Sequence, residues 1–109
     1  MLFRSELFNP CIQNAQQAVE KSLKALCLSS GLPLRRIHGI GALSSDLESH
    51  GFRVDLTRDE CDLFDSVYLP SKYPLASVVP HFAADKKLAS HCVDIASRVV
   101  THATRHLEQ

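Results

Sequence analysis

A chain of 109 residues, 45% apolar and 22% charged, has room for one domain with a modest core and no more. Its 12 basic and 12 acidic residues cancel, which excludes a generally basic nucleic-acid binder and leaves only a local basic strip open. No apolar run approaches the roughly 18 residues of a membrane span. The opening Met1-Leu2-Phe3-Arg4-Ser5-Glu6 lacks the apolar stretch of a signal peptide, so a cytoplasmic address is expected.

The first residues carry Leu2, Phe3, Leu7 and Phe8, enough apolar side chain to require packing somewhere. Asn9-Pro10 reads as an N-cap followed by proline at the first helical position, which starts a helix near residue 10. At 100° per residue Cys11, Ile12, Ala15, Ala18, Val19, Leu23 and Leu26 share one face, and Gln17, Glu20, Lys21 and Lys24 the other. Glu20 precedes Lys24 by one turn, the favourable order for an ion pair. Gly31 and Pro33 end this helix. A second, over about 39–50, turns Ile40, Leu43 and Leu47 inward and stops at Gly51. Val54-Asp55-Leu56 has strand character but no partner run. Thr57-Arg58-Asp59-Glu60 is a capping box and opens a third helix with Cys61, Phe64, Val67 and Tyr68 on one side. Pro70 is expected to close it, because proline disfavours helix in the residue before it. A loop over 69–80 leads to a last helix over about 82–107, whose apolar face carries Ala89, Cys92, Ala96, Val99, Val100, Ala103 and Leu107.

The class is therefore all-α, a single domain over 1–109 built as an antiparallel, up-and-down helical bundle. The four cysteines, Cys11, Cys27, Cys61 and Cys92, contain no C-x-x-C pair and fall on or near apolar helix faces. They read as reduced, buried thiols.

Three segments in register carry more than periodicity. Gln16-Gln17-Ala18-Val19-Glu20-Lys21-Ser22-Leu23-Lys24-Ala25-Leu26 resembles the Q-x-A-x-E-K-x-L-K-A-L helix of the HEPN domain family. Ile37-His38-Gly39-Ile40, followed by Leu43 and Leu47, is similar to that family's T-H-D-L…L segment, with Gly39 in place of the Asp. Tyr68-Leu69-Pro70-Ser71-Lys72-Tyr73-Pro74 is similar to its Y-x-P-S-R-Y-P loop. The resemblance covers roughly residues 8–107. It implies a HEPN-like bundle, here with a shortened or missing first helix, since so little chain precedes the central one. It also implies a homodimer, and a minimal nucleotidyltransferase as partner in a toxin–antitoxin or nucleotide-handling system.

Catalytic members of the family cleave RNA without metal through an Arg-x4–6-His motif shared across a dimer. An imidazole moves the proton at the 2′-OH and a fixed cation holds the phosphate. No arginine of this chain meets that spacing. Arg98 and His102 come nearest, with three residues between them. The expected function is thus a binding or interaction module that is not an enzyme. The alternative is a metal-independent ribonuclease using Arg98 and His102 across a dimer. His91, Arg98, His102 and Arg105 share an arc about 60° wide opposite the apolar face, a candidate RNA or phosphate strip whose bland reading is a solvated helix face. Arg35, Arg36 and His38 at the mouth of the second helix, and Lys72 and Tyr73 in the proline loop, are the other candidates for nucleotide or RNA contact. His102 and His106 stand in H-x-x-x-H spacing but bring only two ligands, so neither a metal nor a cofactor is expected.

Overall fold

The computed structural model describes the backbone of residues 2–32, 39–72 and 86–108, and the side chains of 10–32, 39–66 and 86–108. Four helices follow one another: α1 (Leu2–Ser29), α2 (Ile40–Ser49), α3 (Arg58–Lys72) and α4 (Lys86–Leu107). There is no strand among the described residues, and the fold is all-α. Val54 and Leu56, which had strand character, instead insert singly into the core from the connector between α2 and α3.

α1 is the hub. It packs most extensively on α4 and also meets α2 and α3. Val19, Leu23 and Leu26 of α1, Ile40 and Leu47 of α2, Phe64 of α3, and Cys92 and Ile95 of α4 are all essentially inaccessible to solvent. Burying each such side chain is worth about 1.5–3 kcal/mol, so this one cluster holds the four helices together.

Two helix ends are closed by the same device. Gly31 adopts φ +76° and Gly51 φ +86°, the left-handed region that glycine enters without a Cβ penalty. After α1, Leu32 N–H reaches the Cys27 carbonyl at 2.9 Å and Gly31 N–H the Leu28 carbonyl at 3.1 Å. After α2, Phe52 N–H reaches the Leu47 carbonyl and Gly51 N–H the Glu48 carbonyl, both at 3.0 Å. Each pair forms a Schellman motif, and each puts an apolar residue, Leu32 or Phe52, back against the helix it has just left. The expected stops at Gly31 and Gly51 therefore hold.

The start of α2 is capped from a distance. Gly39 occupies the N-cap position and has no side chain to offer. Asp65 of α3 fills the gap: Ile40 N–H donates to its Oδ1 at 2.7 Å and Gly41 N–H to its Oδ2 at 3.2 Å. Gly41 belongs to the arrangement, because a Cβ there would stand 3.2 Å from Asp65 Oδ2.

Several expectations need correcting. α1 does not begin at Pro10 behind an Asn9 cap, and residues 2–9 are not a separate, shortened first helix. They are the first turns of α1 itself, with Pro10 inside the helix. The run before Pro10 contains no breaker, and proline's fixed φ suits a helix at the cost of one backbone bond. Pro70 does not close α3, which continues to Lys72, because the bias on the preceding residue is not a prohibition. Residues 73–80 of the expected loop and the expected start of the last helix at 82 lie outside the described residues. So do the side chains of Val67 and Tyr68. On α4, Val100 and Leu107 are exposed, and Ile95 takes the buried place instead. Cys11 is exposed, whereas Cys27, Cys61 and Cys92 are buried.

Candidate functional site

The outer face of α4 meets the connector between α2 and α3, and there the polar chemistry of the chain collects. His91, Arg98, His102 and Arg105 are all exposed on that face, as the helical arc requires. Arg98 is not free. Its Nη2–H donates to Glu60 Oε1 and, at 3.3 Å, to the backbone carbonyl of Asp55, while its Nε lies 3.3 Å from Asp55 Oδ2. One guanidinium thus ties α4 to the connector and to the first turn of α3.

Glu60 is shared between two tasks. In the capping box, Thr57 N–H donates to Glu60 Oε1 at 3.0 Å and Glu60 N–H donates to Thr57 Oγ1 at 3.1 Å. The oxygen that accepts from Thr57 is the one that faces Arg98. Partial burial pushes the Glu60 carboxyl upward, but the Thr57 amide and the Arg98 guanidinium more than offset this and hold it below its ordinary range. The carboxylate is therefore ionised at neutral pH.

His102 leans on Phe52, with ring centroids 6.0 Å apart at 76°, and His106 meets the same ring at 4.5 Å and 90°. Phe52 is the residue folded back by the α2 Schellman motif, so a helix end fixes where the two imidazoles rest. The H-x-x-x-H spacing serves this edge-to-face packing. Among the described residues no group of three His, Cys, Asp or Glu side chains converges on a metal position.

Two clefts flank Arg98. One, of about 630 Å³, is lined by Arg53, Val54, Leu56 and Glu48 together with Arg98 and His102. The other, of about 380 Å³, is lined by Ser97, Thr101 and Arg105 together with Asp55, Arg98 and His102. Arg98, His102 and Arg105 are thus brought together. Lys72 is the last residue of α3 and its side chain is outside the described residues; Arg35, Arg36, His38 and Tyr73 lie outside them altogether. Sequence reasoning missed Arg53 and Asp55. Neither stands in a motif, and only the return of the connector beneath α4 brings them to the site.

On another side, α1 and α4 leave an apolar groove of about 490 Å³ lined by Cys11, Asn14, Ala18, Val93, Ser97 and Val100 among others. Val93 is 45% and Val100 39% exposed. The buried thiols lie away from both surfaces. Desolvation pushes Cys27, Cys61 and Cys92 above the usual thiol range, Cys92 to about 11.

The HEPN domain family model matches residues 1–107, and the chain belongs to that family. No curated protein and no solved structure is similar enough to count as a match. No described helix is long and apolar enough to cross a membrane.

Proposed function

We propose that this chain is a non-catalytic HEPN module that binds RNA or a nucleotide and acts through protein partners. The carrying observation is the engagement of Arg98. The cation nearest to the family's catalytic spacing is held by Asp55 and Glu60 rather than presented to a phosphate. His102, one turn on, rests against Phe52. The proposed contacts are Arg105 on the α4 face and, from the sequence, Arg35, Arg36, His38, Lys72 and Tyr73. The protein partners are a second copy of the chain and, from the resemblance, a minimal nucleotidyltransferase in a toxin–antitoxin or nucleotide-handling system. Homodimerisation draws support from the exposed groove between α1 and α4. HEPN domains commonly dimerise.

The rival reading, a ribonuclease built on Arg98 and His102, draws on the fact that both side chains line one cleft. The deciding experiment is metal-free incubation with a long unstructured RNA, comparing wild type, Arg98→Ala and His102→Ala. No cleavage by any of the three is the expected result. Cleavage by the wild type that disappears in His102→Ala would overturn the non-catalytic reading.

A further inference from the structure

The α4 clefts hold three basic side chains without an ion-pair partner among the described residues, Arg53, His102 and Arg105, and one further carboxylate, Glu48. Arg98 stands between them and is the exception. Its Nε and Nη2 form one edge of the guanidinium fork, and that edge is taken by two oxygens from two different carboxylates, Asp55 Oδ2 and Glu60 Oε1. A fork edge of this kind is the one that binds two oxygens of a single phosphate.

We propose that Asp55 and Glu60 are a built-in competitor, occupying the edge of Arg98 that would otherwise bind a phosphate group of an RNA or nucleotide lying in the α4 cleft. The two carboxylates leave the trio with a net charge of −1 beside Arg53 and Arg105, which opposes a phosphate twice, by occupancy and by repulsion. The contact is displaceable in principle, because the side chains of Arg98 and Asp55 are 42% and 47% exposed and surface pairs of this kind are weak. Glu60 is the firmer half, since the capping box fixes it at 15% exposure. Affinity for phosphate is thus set by residues that never touch the ligand.

The inference rests on the reading of the α4 cleft as a binding site, and its test separates the two. Binding of a labelled single-stranded RNA oligomer is followed by fluorescence anisotropy for the wild type and for Asp55→Asn/Glu60→Gln. Glutamine at position 60 retains the capping box. A charge-matched control, Asp59→Asn/Asp62→Asn, removes two carboxylates from α3 without touching Arg98. The Asp55/Glu60 variant is expected to bind about tenfold tighter than the control, the scale of one charge-assisted contact. Adding Arg98→Ala is expected to cancel the gain. Equal affinity of the two double variants, or a gain that survives Arg98→Ala, would overturn the proposal. Asp55→Asn alone leaves the cap untouched and decides the matter, with a smaller gain, should the double variant fail to fold. A parallel series with 5′-AMP as competitor separates the sources of the phosphate: matching gains assign a nucleotide, and a gain with the oligomer alone assigns RNA. Cleavage by the wild type would sink the non-catalytic reading and leave the ratio between variants unchanged.

Discussion

Glu60 illustrates how one oxygen can serve a helix end and an inter-element tie together. Replacing Thr57 with Ala removes the hydroxyl acceptor for Glu60 N–H and is expected to lower stability by about 0.5–2 kcal/mol, read from denaturant melts. Arg98→Ala should cost less, about 1 kcal/mol or under, because the guanidinium and its Asp55 partner are nearly half exposed. The pH dependence has a definite sign. The Glu60 carboxyl lies below its ordinary range in the folded chain, so its contribution is present above the unfolded carboxyl range and is lost as pH falls through the folded value. Melts should show a loss on acidification that is smaller in Glu60→Gln; an identical loss in both would remove Glu60 from the account. The thiols behave in the opposite sense. Cys92 is raised to about 11, so its contribution is whole below the ordinary thiol range and fades as pH rises towards that value. Native protein should therefore expose one reactive thiol, Cys11, and denatured protein all four.

At the scale of the helices, local chemistry was legible wherever both partners lie within a few residues of each other. The Glu20–Lys24 pair forms at 2.8 Å, the Thr57/Glu60 box closes as written, and both glycine stops hold. What the sequence concealed depends on residues far apart. Asp65 caps α2 from α3, 25 residues away from Ile40, and no pattern around Gly39 announces it. The carboxylate reaches this helix end from another element. Asp65→Ala should uncap α2 at a cost of about 1–2 kcal/mol. Gly41→Ala should repeat part of that loss by crowding the carboxylate. A helix-preserving Ala42→Ser, on the exposed side of α2, should leave stability within about 0.5 kcal/mol. The two proline boundaries misled for a related reason. Proline's penalty is local and finite, and both helices absorb it: Pro10 lies inside α1 and Pro70 inside α3.

For the whole molecule, the exposed apolar side chains are the outstanding feature. Val93, Val100 and Leu107 are all on α4 and are 45%, 39% and 45% exposed. With Ser97 and Thr104 they recur at spacings of four, three, four and three, the repeat of a helix seam that meets another helix. Val93, Ser97 and Val100 face the groove beside Cys11, Asn14 and Ala18 of α1, and no charged side chain among the described residues lines it. A zero net charge offers no global repulsion against self-association. The predicted outcome is a two-fold homodimer through this face, since a self-complementary patch closes most simply as a pair. Val100→Glu places a charge at the middle of the seam on a side chain already partly in water, so the monomer should keep its helicity and lose only its partner. Light scattering at tens of micromolar is expected to give the dimer mass for wild type and the monomer mass for Val100→Glu, given an interface near the usual 800 Å² or so per partner. Cys11 supplies an independent reading from inside the groove: its alkylation should slow as wild-type concentration rises, and stay fast in Val100→Glu. A monomeric wild type with concentration-independent Cys11 labelling would place the partner of this groove elsewhere than in a second copy of the chain.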